Sequence, residues 1–320
     1  FSSRRRHTRS TLQSRGLGDV YKRQLLMLAT PAIANDRIAV FGDSLSDTGN
    51  VFALTGMVST RPYNANNIPD APYPIGGQNF SNGQIWIWEV GQTLNNVVDV
   101  SAAFRAPQAF SNYAFGGARA RDGASQIPSL SQQVGLYLGN NDNVSGTRQF
   151  IVIGGNDVRD AISAYLAGGP VAAGQIILEA VTAISDNIQS LAASGAQDFL
   201  VGNVPDLGKA PAVTALGPQA SVLASTLTVQ FNDALEQTLM GLQTGLVIHI
   251  TRLDLFEFIN RVVNDPSAYG LLNVTDSCLM PAVQVGAICD HPNSYLFWDG
   301  IHPTRAAHLL IANEALRVMP

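Results

Sequence analysis

A serine, an aspartate and a histidine are the residues best placed by type to act together. Ser44 follows the apolar run Ile38-Ala39-Val40-Phe41-Gly42-Asp43. That run reads as a buried strand delivering a hydroxyl to the carboxyl end of a sheet, where open α/β folds place their ligands. Such a serine stays inert unless a base and an oxyanion site converge on it. Near the C-terminus, Trp298-Asp299-Gly300-Ile301-His302-Pro303 sets an acid and a histidine three residues apart on a turn. A carboxylate there can hydrogen-bond the ring and fix its tautomer. If the loop faces Ser44, the set becomes nucleophile (Ser44), general base (His302) and orienter (Asp299). Residue types alone leave a second reading open, because Asp-x-x-His also occurs as a helix N-cap.

Alternating strands and helices must position these residues. Phe150-Ile151-Val152-Ile153 is a second apolar run ending in polar turn residues, Gly154-Gly155-Asn156-Asp157. Phe199-Leu200-Val201 ends at Gly202-Asn203, and Leu246-Val247-Ile248-His249-Ile250 follows as the next strand. Between them, Ile177, Val181, Ile184, Ile188 and Leu191 recur at helical spacing up to Gly195. Leu227, Phe231, Leu235 and Leu242 mark another helix, and Leu309, Ala312, Leu316 and Met319 a last one. This order predicts parallel βαβ units in a doubly wound α/β fold, a three-layer α/β/α sandwich with a mostly parallel central sheet. In such a sheet the ends at Ser44, at 154–157 and at Asn203 share one edge.

The chain has 320 residues, 46% hydrophobic and 13% charged, which describes a core-forming protein. Its net charge of -5 conceals a split. Residues 1–24 carry seven basic groups and one acid, so the rest of the chain is strongly acidic. An acidic body argues against nucleic acid and anionic membrane surfaces as partners. The basic run Arg4-Arg5-Arg6-His7-Thr8-Arg9 reads as a leader. Leu25–Ala34 behind it reads as the remnant of a signal peptide cleaved after Ala34. That leaves residues 35–320 as one domain, exported to a secreted or periplasmic location. No run is expected to span a bilayer as a transmembrane segment.

Cys278 and Cys289 are expected to pair, given export. The Pro-, Gly- and Asn-rich stretch from Gly56 to Gly83 is long for a loop, and loops of that length are usually functional. Its Tyr63, Tyr73 and Phe80, with Trp86 and Trp88 beyond, are candidates to wall an acyl pocket or simply to close the core. Asp43 is expected to brace the loop around Ser44, and Asp47 and Asn50 to cap the following turn. Asp157 and Asp160 fit a helix start better than a metal site, and His249 and His308 read as structural.

Four segments resemble the GDSL, or SGNH, hydrolases: Phe41–Asn50, Asn112–Ala118, Ile153–Asp157 and Asp299–Thr304. They stand in family order and span nearly all of the chain after Ala34. The resemblance implies the SGNH-hydrolase, flavodoxin-like form of the sandwich and an acyl-enzyme on Ser44. It needs no metal or organic cofactor. It also implies an oxyanion hole made by the Ser44 N–H, the Gly117 N–H and the Asn156 side chain, with Gly116 the rival to Gly117. Glycine at 117 would let the main chain approach the substrate oxygen. The substrate would be a small-molecule or lipid ester. Asn112–Ala118 and the Phe297-Trp298-Asp299 loop are most similar to the bacterial phospholipase, haemolysin and acyltransferase branch, so an acyltransferase with the same site is an alternative. A carbohydrate deacetylase and a non-catalytic binding module are the others.

Overall fold

The central sheet is made of the strands β1 (Arg37–Gly42), β2 (Thr147–Val152), β3 (Asp198–Gly202) and β4 (His249–Leu253). In the computed structural model they pair in parallel, in the spatial order β1-β2-β3-β4. The structure describes residues 37–58, 72–73, 78–123, 125–141, 144–279 and 287–319. The chain divides into two units, Phe1–Ala34 and Asn35–Pro320. The basic leader, the signal-like run and Tyr63 lie outside the described residues.

Side chains alternate across the sheet, as the pleat requires. Ala39, Phe41, Ile151, Phe199, Val201 and Ile250 enter one apolar cluster. Ile38, Val40, Phe150, Val152, Leu200 and Leu253 enter the other. The helices, in chain order, are α1 (Asn50–Thr55), α2 (Trp86–Thr93), α3 (Leu130–Asn140), α4 (Gly155–Ala193), α5 (Pro211–Thr214), α6 (Pro218–Gly245), α7 (Leu255–Asn264) and α8 (Arg305–Val318). The first cluster is completed by α3, α4 and α6, the second by α2, α7 and α8. The result is a three-layer α/β/α sandwich around a parallel sheet.

Two segments run alongside. Residues 111–115 extend the outer edge of β1, with Tyr113 N–H donating to Val40 O at 2.7 Å and Phe115 N–H to Gly42 O at 3.1 Å. A small parallel pair, β5 (Asn273–Ser277) and β6 (Tyr295–Phe297), leads into the Asp299–His302 turn.

Two elements depart from the sequence reading. The apolar run Leu246–Ile250 is not the strand: α6 continues to Gly245, Val247 is fully out in solvent, and pairing begins at His249. An apolar run does not set its own register. His249 is consequently exposed, 4.0 Å from Asp198. Second, α4 is 39 residues long and kinked at Gly169–Pro170, where Gly169 adopts φ 77°. It is long and apolar enough, by length and composition only, to cross a bilayer, where the sequence reading expects no run of that length. Its second half instead lays Ile177, Val181, Ile184, Ile188 and Leu191 into the core.

Candidate active site

The turn after β6 is built by Asp299 itself. Its Oδ1 accepts from Ile301 N–H at 2.8 Å and from His302 N–H at 2.7 Å, the aspartate turn that makes this residue type favoured there. Trp298 N–H closes the loop on His302 O at 2.8 Å, and the Thr304 hydroxyl then caps α8 by accepting from Ala307 N–H. The loop thus delivers His302 with its carboxylate already attached. His302 Nδ1 lies 2.7 Å from Asp299 Oδ2, and Nε2 lies 2.9 Å from Ser44 Oγ. With Asp299 accepting at Nδ1–H, Nε2 is left bare to accept the serine proton.

Asp299 is fully buried, and a buried carboxylate is costly unless its lone pairs are met. Here four donors meet them: the two backbone N–H groups, His302 Nδ1–H and the Tyr73 hydroxyl, 2.9 Å from Oδ2. Tyr73 packs edge-on against Trp298, ring centroids 5.7 Å apart, beside the Cys278–Cys289 disulfide. Cys278 N–H and Leu279 N–H donate to Phe297 O and Trp298 O, so the bridged segment braces the strand leading to Asp299.

Ser44 stands just past β1, where Gly42 is obligatory. A Cβ there would sit 2.3 Å from Val152 O on the neighbouring strand. Asp47 accepts from the N–H groups of Gly49, Asn50 and Val51, and also from Gly116 N–H at 2.9 Å. Asn50 donates to Asn112 O and Ala114 O, and Asn112 returns a bond to Ser46 O. The Ser44 loop and the 112–118 segment are therefore one hydrogen-bonded unit.

That unit distinguishes the two glycines. The Gly116 N–H is occupied by Asp47, and a Cβ on Gly116 would strike the Phe80 ring at 2.1 Å. The Gly117 N–H makes no hydrogen bond to any described residue. Gly117 needs to be glycine for its φ of 82°; an added Cβ would meet nothing within 4 Å. Asn156, on the first turn of α4, donates from Nδ2 to Ala118 O at 2.9 Å, which leaves its second amide hydrogen to spare. Arg159 Nη1–H donates to Asn156 Oδ1 at 3.2 Å and so fixes which way the amide faces. Ser44, Asn156, Arg159 and His302 line one cavity of ≈ 210 Å³. A hydroxyl, a base and amide donors at one cavity can carry out acyl transfer.

Comparison with known proteins agrees with this chemistry. The family model "GDSL-like Lipase/Acylhydrolase" matches residues 38–315. A GDSL esterase/lipase of Arabidopsis thaliana is 26% identical over 87% of this chain and 86% of its own length. The thermolabile hemolysin of Vibrio parahaemolyticus is 24% identical over 88% of this chain and 63% of its own. A member of the lipolytic G-D-S-L family from Veillonella parvula overlays with a TM-score of 0.44 at 13% identity, covering 88% and 97% of the two chains. The chain belongs to the GDSL lipase/acylhydrolase family. It is a serine esterase or lipase, a carboxylic ester hydrolase.

Two further acids of this GDSL hydrolase are unusual. Burial pushes Asp43 up to about 6, against the Leu45 N–H that its Oδ1 accepts and the nearby His302. Burial also pushes Asp157 up to about 6, despite Ala120 N–H and Arg121 beside it. Asp157 and Asp160 pair with arginines. Arg119 Nε–H donates to Asp160 at 2.5 Å, Arg121 also pairs with Asp160, and Arg121 Nε lies 3.4 Å from Asp157 Oδ1. Among the described residues no cluster could hold a metal ion. His308 is buried and held neutral, its value lowered to about 3 by desolvation first and by His302 second.

Of the described aromatics of this stretch, Tyr73, Phe80, Trp86 and Trp88 do not line the cavity. Tyr73 braces Asp299, Phe80 lies 5.3 Å from the His302 ring, and Trp86 is buried, donating to Ser46 Oγ. The bracing role of Tyr73 and the part played by Arg159 are not given by the sequence reading. Tyr73 is 226 positions from its partner, whereas Arg159 lies three residues after Asn156, a helical spacing that is a local sign of the contact.

Proposed function

We propose that this GDSL hydrolase cleaves carboxylic esters through an acyl-enzyme on Ser44. The observation that carries the reading is the unbroken hydrogen-bond chain Ser44–His302–Asp299. His302 Nε2 takes the Ser44 proton as Oγ attacks the ester carbonyl, and Asp299 steadies the imidazolium that forms. The oxyanion is received by the N–H groups of Ser44 and Gly117 and by Asn156 Nδ2–H. His302 then returns the proton to the leaving alkoxide. In the second half a water gives its proton to His302 and attacks the acyl carbonyl; as the Ser44 Oγ–C bond breaks, His302 returns that proton to Oγ, releasing the acid and restoring Ser44.

Two features of the wider chain belong to the same proposal. Residues 35–320 act as one hydrolase domain, with 1–34 outside it. The protein works in an oxidising compartment after export, since a disulfide such as Cys278–Cys289 persists there and is rare in cytosol. The test is Ser44→Ala, expected to lower ester turnover by on the order of 10⁴–10⁶-fold and to abolish labelling by a fluorophosphonate. A folded Ser44→Ala protein with wild-type turnover defeats the reading.

A further inference from the structure

The cavity at Ser44 takes its inner wall from Leu255, Ile259 and Ile311, all buried, and its mouth from Leu207, Ala212 and Val213, all half-buried. Asn156 and Arg159, on the first turns of α4, line it as well. Both lining segments run on into sequence without a single charged residue: 161–178 in α4, and 210–232 through α5 into α6. Together these are 41 residues, where the chain's 13% average would place about five charges. Apolar sequence this free of charge is normally buried in a core. Here much of it is not. Of residues 161–178 only Ala161, Ala173 and Ile177 are buried. Leu166 is 74% exposed, Val171 83%, Leu216 76% and Val222 66%, and Tyr165 is exposed beside them.

These side chains adjoin the mouth. Arg159 and Leu166, seven residues apart, share one face of α4, so the face that turns Arg159 to the cavity carries Leu166 outward just beyond it. Leu216 follows Val213 by one turn, its N–H donating to Val213 O at 3.0 Å. Val222 is one turn before Ser225, whose hydroxyl donates to the cavity-lining Asp206 at 2.6 Å. Exposed apolar patches mark interaction surfaces, and this one surrounds the entrance to the active site. Its occupant must therefore let ester pass. A second copy of the chain seated there would seal the cavity, whereas a lipid surface covers it with ester. The exposed side chains are also spaced by Gly, Ala and Ser, and such scattered pegs suit a fluid phase that closes around them. Tyr165 has the amphipathic ring favoured at a membrane–water boundary. Arg159 is exposed and pairs with no carboxylate among the described residues, which leaves N–H groups for a headgroup phosphate. The acidic body of the chain opposes anionic lipid, so charge selects zwitterionic headgroups.

From this we infer that the face carrying Tyr165, Leu166, Val171, Leu216 and Val222 docks on a zwitterionic phospholipid surface, with the Ser44 cavity opening toward the lipid. Docking itself does not depend on the chemistry at Ser44. Only its use, delivery of ester from the lipid, rests on the reading of Ser44 as nucleophile.

The full chain is to be mixed with vesicles of ether-linked phosphatidylcholine, which has no carboxylic ester to cleave, and bound protein read by flotation. Wild type should float with the vesicles in high salt as in low, because apolar contact is not screened. Leu166→Asp, Leu216→Asp and Val222→Asp should each lower the partition coefficient about tenfold or more. None of the three lines the cavity, so turnover of dissolved p-nitrophenyl acetate should stay within about twofold. Val171→Trp keeps the patch apolar and adds a reporter, whose emission should shift to the blue with vesicles. It reports even where an aspartate variant folds poorly. No flotation of the wild type, or flotation unchanged in all three aspartate variants, overturns the inference. Binding to phosphatidylglycerol vesicles alone, lost in high salt, overturns it too. So does a wild-type dimer that the same substitutions split, which assigns the face to a second copy. Each of these results leaves the serine-hydrolase reading standing. A wild type that floats yet hydrolyses no ester defeats that reading and leaves the docking in place.

Discussion

His302 and Asn156 face one cavity from differently built supports. Around His302 the braces are neutral dipoles, ring packing and a covalent bond. Asp299 takes its four donors, Tyr73 meets Trp298, and the Cys278–Cys289 segment pairs with the strand behind. Around Asn156 the braces are charges. Arg119 and Arg121 tie the 117–121 strip to Asp157 and Asp160 on α4, and Arg159 holds the amide itself. The difference follows the work of each side. A base that must gain and lose a proton is best held by groups that do not change charge. A site for a developing oxyanion loses nothing from nearby cations.

The widest gap between the two sides is catalytic. In the proposed mechanism His302→Ala removes the base and should cost on the order of 10⁴–10⁶-fold in kcat. In the same proposal Asn156→Ala removes one of three oxyanion donors and should cost roughly 10²–10³-fold, with KM nearly unchanged. Steady-state kinetics on one ester checks both. Equal losses would mean that Asn156 does more than donate.

The next test breaks the charged brace alone. Arg121→Gln leaves Asp157, which is wholly buried, without its cation. Removing one partner of a buried pair costs about 3–5 kcal/mol, reduced here because the Arg121 side chain is 18% exposed. Urea unfolding should show a loss of about 2–3 kcal/mol, largely recovered by adding Asp157→Asn. A loss under ~0.5 kcal/mol would class Arg121 with ordinary surface charges.

Much of this arrangement is legible from sequence because it is local. The strand ends at Ser44 and 154–157, and the three-residue step from Asp299 to His302, are features of single short segments. The braces are not. Tyr73 lies in an aperiodic stretch and meets Asp299 only in three dimensions. The inner cavity wall is drawn from Leu255, Ile259 and Ile311, whose helical spacing reads as ordinary core. Of the two roles open to the aromatics of the long stretch, Tyr73, Phe80 and Trp86 take the packing one and do not line the cavity. Gly116 and Gly117 could be separated only by what each N–H meets and by a positive φ, neither of which composition encodes.

Two buried acids should also make stability depend on pH. Asp43 and Asp157 are both raised by burial to about 6. The folded state then binds their protons more tightly than the unfolded chain does. Their contribution favours folding below about pH 4 and is lost as pH rises through about 6. For Asp43 the full swing is at most about 3 kcal/mol. Asp43→Asn keeps an acceptor for Leu45 N–H while removing the titration. Its stability relative to wild type should therefore be better at pH 7 than at pH 4, by about 1–3 kcal/mol in urea unfolding. The same difference at both pH values would contradict the raised value for Asp43.

The smallest effect probes the neutral brace. Tyr73→Phe deletes one of the four donors to Asp299 and keeps the ring against Trp298. The carboxylate, with fewer donors sharing its charge, then binds the imidazolium more strongly. That favours the protonated ring, so the acid limb of kcat/KM should move to higher pH by a few tenths of a unit. Looser orientation of His302 should lower kcat about 3–10-fold, a modest loss because Ile301 and His302 still hold Oδ1 through their own N–H groups. A purely structural tyrosine would lower the melting temperature and leave the limb in place. If the limb stays fixed while the melting temperature falls, Tyr73 supports the fold but does not position the catalytic pair. The neutral side of the comparison would then rest on the backbone turn alone.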